Sequence, residues 1–282
     1  MNKLILAASA AVAMGLGAPL AVAQDAKPDA AATDEGSGVD VGLFLGTGYN
    51  YSAGKYGTTT TTTIQSAPLL ASLEYGDLTL DLTVPFLTVN GDPNVIPGLG
   101  RVVNKNPKKR AKAGAASGSA MGIGDVVGEA TWDAYTNDQY KFGFDLSGKV
   151  KFGTGDKGQG LGDGATDYTV GVGVFKMLGP VTLTADVGYT AMGSSSYIAL
   201  KKNLISYSVG GLYKATDKLS LGLSYDAGGQ MAQGVSTSSI RELTALFAYQ
   251  LAKHWKLQGY GLAGFSDGSP DYGGGASLRY AF

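Results

Sequence analysis

The chain ends in "YGGGASLRYAF", residues 272–282, and this stretch decides the predicted fold. Phe282, Tyr280 and Leu278 recur at every second position, and the charged Arg279 falls between them. Such alternation indicates a β-strand with one apolar and one polar face. It continues to the last residue, where soluble domains usually fray, so the sequence predicts a strand whose apolar face contacts lipid.

The other end of the chain has the layout of a secretory signal peptide. A lysine is followed by a long uncharged stretch and then by the small residues Ala-Val-Ala. We predict a signal peptide over residues 1–23 that is cleaved after Ala23, which implies export from the cytoplasm. Residues 24–38 are small, polar and acidic, and we expect a flexible lead-in there. The β-barrel domain is predicted over residues 39–282.

The composition narrows the class of protein. The 282 residues include 44 glycines and 16 tyrosines, only 16% are charged, and the net charge is −1. This charge balance shows no basic excess for nucleic acid, so no nucleic-acid partner is expected. The absence of cysteine excludes disulfide and thiol chemistry. A mean hydropathy near zero is typical of a barrel whose residues alternate between lipid and lumen.

Alternating segments and turn signals follow one another along residues 39–282. They predict an all-β fold, a transmembrane antiparallel β-barrel of about 12 strands. Short connections alternate with longer ones, as short periplasmic turns and long external loops do in outer-membrane barrels. The short turns are predicted after Tyr75, Tyr135, Met177, Lys214 and Leu251, and the long loops after Tyr51, Val89, Gly153, Met192, Gly228 and Phe265.

Aromatic and charged residues favour the barrel over the alternative, a soluble β-sandwich or solenoid. Aromatic residues recur near strand ends on the apolar face, as an interfacial girdle requires. They are Tyr49, Tyr75, Phe86, Trp132, Phe142, Phe152, Tyr168, Tyr189, Tyr213, Trp255, Phe265, Tyr272 and Phe282. Charged residues occupy the opposite face, and we predict that they line the lumen: Asp81, Glu129, Asp145, Lys149, Lys151, Asp186, Glu242 and Arg279.

Catalytic chemistry is not expected from this sequence. The single histidine, His254, falls in a predicted periplasmic turn beside Trp255 and is interpreted as an interfacial residue. No G-x-S-x-G, H-E-x-x-H or Walker motif occurs, so the protein is predicted not to be an enzyme and to need no cofactor. Asp156, Asp163 and Asp167 lack EF-hand spacing, which favours loop structure over a metal site.

Two segments suggest partners in the membrane. The terminal residues Phe282, Tyr280 and Leu278 are similar to the C-terminal signature by which the barrel-assembly machinery recognises outer-membrane proteins. The longest loop, Asn90–Gly122, is predicted either to cover the lumen as a lid or to bind lipopolysaccharide phosphates. The second reading rests on its basic cluster, Lys105, Lys108, Lys109, Arg110 and Lys112.

Three stretches resemble a known family. They are "GIGDV" (residues 122–126), "KFGTGDKGQGLGDGATDY" (residues 151–168) and the closing "LQGYGLAGFSDGSPDYGGGASLRYAF" (residues 257–282). The chain, from about Leu73 onward, resembles the outer-membrane transporters named for the MetA-pathway of phenol degradation. The resemblance implies a barrel in the outer membrane of a Gram-negative bacterium that passes small compounds.

We therefore predict an outer-membrane, porin-like transporter for passive passage of small solutes, including hydrophobic or aromatic compounds. Twelve strands should enclose a narrow lumen, because eight-stranded barrels are filled by side chains and 16–18-stranded porins are open. The mixed signs of the lumen charges favour neutral or zwitterionic solutes, and Tyr260 could stack on an aromatic one. The alternatives are a structural or surface-binding barrel without transport and, less favoured, an outer-membrane enzyme.

Overall fold

The computed structural model describes residues 41–103, 117–229, 231–233 and 239–282. The predicted signal peptide, the lead-in and the basic cluster of the longest loop lie outside these residues. The described residues contain no helix that is long and apolar enough to cross a membrane.

The described residues form fifteen strands, most of them long. They are β1 (Val41–Gly54), β2 (Thr62–Tyr75), β3 (Leu78–Gly91), β4 (Val95–Ile96), β5 (Gly100–Arg101), β6 (Gly118–Ile123), β7 (Val126–Asn137), β8 (Phe142–Phe152), β9 (Asp167–Leu178), β10 (Val181–Ala191), β11 (Asn203–Lys214), β12 (Leu219–Gly228), β13 (Ile240–Ala252), β14 (Trp255–Gly264) and β15 (Tyr272–Ala281). The short β4 and β5 form a separate hairpin, and the other strands form one antiparallel sheet.

The sheet closes into a barrel of twelve strand positions, which confirms the predicted fold class and strand number. Each strand pairs with its neighbours in sequence, and β6 and β7 share one position beside β3. The last strand closes the barrel on the first, because β15 pairs with β1 from Ala281 opposite Phe44 to Tyr272 opposite Ala53. The backbone N–H of Phe282 donates to the carbonyl of Leu43 at 3.0 Å.

The interruption between β6 and β7 has a local cause in β3. β7 pairs with the first part of β3 and β6 with the last part, and the break lies opposite Pro85. The backbone N–H of Gly124 donates to the Pro85 carbonyl at 2.9 Å, but proline has no N–H to return. The ladder therefore loses a bond at this point, and Gly124 and Asp125 leave the strand conformation.

The outer face of the barrel is apolar and bears aromatic residues near both rims. All thirteen predicted girdle aromatics are exposed, and leucines and valines such as Leu82, Val172 and Leu223 cover the band between the rims. The inner face is built of small and polar residues, for example Ser206, Thr244 and Ser277, which are buried. Soluble proteins have an apolar interior and a polar surface, and this barrel has the opposite arrangement. A barrel that is embedded in lipid and has a polar lumen requires it.

The connections agree with the predicted asymmetry. One rim carries the tight turns at residues 76–77, 138–141, 179–180, 215–218 and 253–254, and we call it the turn rim. The opposite rim carries the longer connections and is called the loop rim. Which rim faces the outside of the cell stays a prediction.

The lumen and its loop rim as the candidate functional site

All eight predicted lumen residues lie on the inner face of the barrel. Asp145, Asp186 and Glu242 are buried there. The remaining five are half-buried, and they too occupy the alternate strand positions whose side chains face inward. Asp226 of β12 also lies on this face and was missed as a candidate. The signal that could have found it is alternation, because it falls in register with Ser224 and Ser220 along β12.

Part of the lumen charge is neutralised by ion pairs on one wall. Asp81, Glu129 and Lys149 are direct cross-strand partners on β3, β7 and β8. Lys149 Nζ lies 3.4 Å from Glu129 Oε2. Arg279 of β15 interacts electrostatically with Asp81 and Glu74. The inward cations of this wall are therefore matched by carboxylates beside them.

Lys151 does not simply line the lumen, because its ammonium group is surrounded by three aspartates. Its Nζ lies 2.7 Å from Asp163 Oδ2, 2.8 Å from Asp167 Oδ2 and 3.5 Å from Asp125 Oδ2. The Asp163 side chain is fully buried. We call Lys151 and these three aspartates the rim ion cluster, because it fastens the loop of residues 153–166 to the loop rim of the barrel.

Backbone groups complete the rim ion cluster. The N–H of Gly155 donates to Asp125 Oδ1 at 2.9 Å, and the N–H of Ala165 donates to Asp163 Oδ1 at 2.9 Å. The N–H of Gly193 donates to Asp167 Oδ1 at 2.8 Å, which joins the loop of residues 192–202 to the same cluster. Charged acceptors make the stronger hydrogen bonds, so these contacts hold two loops in fixed positions.

Apolar side chains from several long loops meet over the loop rim. One cluster joins the hairpin β4–β5 to the loop of residues 192–202 and to the start of β13. Its buried members are Ile96, Leu99, Val102, Ile198, Leu204, Met231, Ala232 and Ile240. Elements that are far apart around the barrel can touch only across its mouth. We call this group the mouth cluster.

A second apolar cluster lies beside the first and connects other loops. It comprises Tyr56, Ile64, Leu87, Val89, Val95, Ala120 and Leu161. Val95 precedes Ile96 in the hairpin, so β4 contributes to both clusters. Together the clusters bury the apolar side chains of the hairpin β4–β5, in which Val95, Ile96 and Val102 are each at most 1% exposed. Within the predicted lid segment, the hairpin β4–β5 thus packs into the mouth.

The turn rim contains the single histidine. His254 Nδ1 lies 2.8 Å from the carbonyl oxygen of Ala281, and its ring stacks on Tyr280 at 5.6 Å between centroids. Trp255 contacts Tyr280 edge to face. These contacts join the last turn to the last strand, and the interfacial role of His254 stays a prediction.

The three aspartates at residues 156–167 make hydrogen bonds and ion pairs that stabilise the loop. Asp156 Oδ1 accepts a hydrogen bond from the backbone N–H of Gly158 at 2.8 Å, and its other oxygen accepts one from Gln159 Nε2 at 2.9 Å. Asp163 and Asp167 bind Lys151 as described. Among the described residues, no three histidine, aspartate or glutamate side chains are placed to share one metal ion.

Comparison with solved structures finds the same fold in outer-membrane channels. The COG4313 outer membrane channel from Pseudomonas putida F1 is similar over 89% of this chain and 100% of its own, with 17% identity and a TM-score of 0.61. The NanC porin is similar over 85% of this chain and 98% of its own, with 10% identity and a TM-score of 0.50. No protein-family model matches the sequence. No curated protein matches it either.

Proposed function

We propose that this protein is a channel of the bacterial outer membrane through which small solutes pass passively. The observation that carries the proposal is the distribution of side chains on the two faces of the barrel. The outer face is apolar with aromatic residues near both rims, and the inner face is charged. A dry core would not tolerate the inward charges, whereas a water-filled lumen does. The fold shared with the COG4313 channel supports the same conclusion.

The packed mouth suggests that passage is controlled at the loop rim. The mouth cluster joins the hairpin β4–β5 to loops on other strands, and this packing supports the proposal that the hairpin acts as a lid over the lumen. Loops longer than most are usually functional lids or unstructured segments, and the hairpin within this one has buried apolar side chains. Opening would require the hairpin to leave the mouth cluster.

The proposed solutes are small compounds. The family resemblance favours small compounds, including hydrophobic or aromatic ones. Tyr260 on the inner face of β14 supplies an aromatic ring for stacking. Assembly is proposed to depend on Phe282 as a signal for the barrel-assembly machinery, with lipid and lipopolysaccharide as the surrounding partners. No catalytic activity is proposed.

Flux through liposomes tests the channel and the lid together. Purified mature protein should admit small sugars or aromatic solutes in a swelling or uptake assay. Gly91 of β3 and Gly118 of β6 are direct cross-strand partners, so residues 92–117 can be replaced by Asn-Gly, a turn suited to a two-residue hairpin. The shortened protein should keep its heat-modifiable mobility and pass solutes faster.

Two results would contradict these proposals. If neither form passes any solute, the barrel is structural or surface-binding and the channel proposal fails. If both pass solutes equally and only the shortened form loses binding to lipopolysaccharide, the loop is an anchor and not a lid.

A further inference from the structure

A row of carboxylates crosses the inner face of β8–β13. Cross-strand partners follow one another directly from Asp145 through Gly173, Asp186, Ser208 and Asp226 to Glu242. We call the four carboxylates in this series the acidic row. Asp133 lies next to its first member, at the bulge in β7, and interacts electrostatically with Asp145.

The acidic row runs obliquely between the two rims. Asp145 lies close to the turn-rim end of β8, which begins at Phe142. Glu242 lies close to the loop-rim end of β13, which begins at Ile240. Strands of a barrel are tilted against its axis, so partners taken in series from strand to strand climb along the lumen. The row therefore extends along the wall from near the turn rim to near the loop rim.

Two members of the row converge on one point. A Cβ atom on Gly173 would lie 2.6 Å from Asp145 Oδ2 and 2.7 Å from Asp186 Oδ1. Asp145 is 3% exposed and Asp186 is 8% exposed, and Oδ2 of each accepts no hydrogen bond from a described residue. Like charges held this close repel each other, and a cation between them would remove the repulsion.

No lysine or arginine of the described strands is placed to neutralise the row. Within the described strands β9–β13, the inward positions hold a single lysine or arginine, Lys214. It lies at the turn-rim end and is paired with Asp217.

The inward cations on other strands have carboxylate partners outside the acidic row. Lys149 is paired with Glu129, and Arg279 interacts with Asp81 and Glu74. Lys151 is held in the rim ion cluster, and Lys256 of β14 also has a partner. The wall from β9 to β13 thus carries unbalanced negative charge.

Uncharged oxygens at both ends of the row add acceptors. Thr131 is 2% exposed and its hydroxyl has no partner among the described residues; its cross-strand partner is Ser147, two residues from Asp145. Tyr260 is 7% exposed, its hydroxyl is likewise unpartnered, and it interacts electrostatically with Glu242. Such oxygens and carboxylates together are the groups that line cation paths.

We propose that the acidic row is a path for cations, and that the channel prefers small cations to anions. The solutes it fits are alkali ions and small organic ammonium or guanidinium compounds, because each carboxylate can exchange such an ion with the next. This inference rests on the proposed channel function and names its solute class. It replaces the expectation of weak charge selection, because the mixed charges are segregated on different walls.

Reversal potentials across planar bilayers test the proposal. Mature protein between unequal KCl solutions should show a potential of the cation-selective sign, and guanidinium should carry current when it replaces potassium. The double variant Asp145→Asn, Asp186→Asn should lower the cation-to-anion permeability ratio about fivefold, the size expected for loss of a charge in near contact. Asp226→Asn with Glu242→Gln should act in the same direction if the first pair fails to fold.

The matched control is Asp217→Asn, which removes a carboxylate that is 99% exposed in a turn and outside the lumen. Its permeability ratio should equal that of the unchanged protein. The proposed cation path is wrong if the channel conducts without preferring cations, or if its preference survives both pairs of substitutions. Either result would leave the proposed channel function standing. The absence of any conductance would overturn the channel function itself, and this inference with it.

Discussion

The two rims of the barrel are connected in different ways. At the turn rim, each connection joins neighbouring strands and is held by local contacts, such as the pair of Lys214 and Asp217 at 3.3 Å. At the loop rim, connections reach across the mouth and are held by the mouth cluster and the rim ion cluster. The turn-rim connections therefore depend on neighbouring strands alone, whereas the loop-rim connections depend on contacts between elements that are far apart around the barrel.

The largest expected effect of a single substitution is at the rim ion cluster. Lys151→Met leaves Asp163, Asp167 and Asp125 without their shared cation, and removing one partner of a buried ion pair costs about 3 kcal/mol or more. We expect the loops at residues 153–166 and 192–202 to detach. Protease cleavage within them should increase, while heat-modifiable mobility of the barrel is unchanged.

Lys214→Met is the matched control at the turn rim. It breaks an ion pair whose side chains are 52% and 99% exposed, and such pairs contribute at most about 1 kcal/mol. Its protease pattern should not change. Equal cleavage of the two variants would contradict the difference between the rims.

A smaller effect is expected for the last residue. Deletion of Phe282 removes an outward aromatic side chain and its backbone hydrogen bond to Leu43, a loss of about 2 kcal/mol from apolar burial. The yield of inserted, heat-modifiable barrel should fall. Phe86→Ala removes a similar girdle aromatic at the loop rim but keeps the chain end. If both variants insert equally poorly, Phe282 acts as an anchor and not as an assembly signal.

The smallest effect concerns orientation and leaves the barrel folded. Trypsin added to intact cells should cut near Lys108, Lys109 and Arg110 if the loop rim faces outward. The fragments are identified by mass spectrometry, and replacing the three residues with glutamine should abolish them. Cleavage that appears only after the outer membrane is permeabilised would place the loop rim inside.

Sequence patterns predicted much of the fold and part of the site. Period-two alternation predicted the strands, and the turn residues predicted where the strands end. The parity of positions along each strand placed all eight predicted charges on the inner face. The partners of Lys151 could not be predicted, because Asp125 and Asp163 reach it from a break in the sheet and from a loop. Asp226 has the right parity, but its place in a row of carboxylates depends on the cross-strand neighbours that the sheet register gives it.

The sequence by itself determined that this chain forms a barrel with an aromatic outer girdle and a charged lumen, since alternation and turn chemistry act over a few residues. The tertiary structure alone decided which charges become neighbours. Strand register and tilt bring Asp145, Asp186, Asp226 and Glu242 into one row and place Lys149 and Arg279 beside other carboxylates. It also decided that the hairpin β4–β5 packs into the mouth. These contacts join residues far apart in the chain, and their geometry is fixed only when the sheet closes.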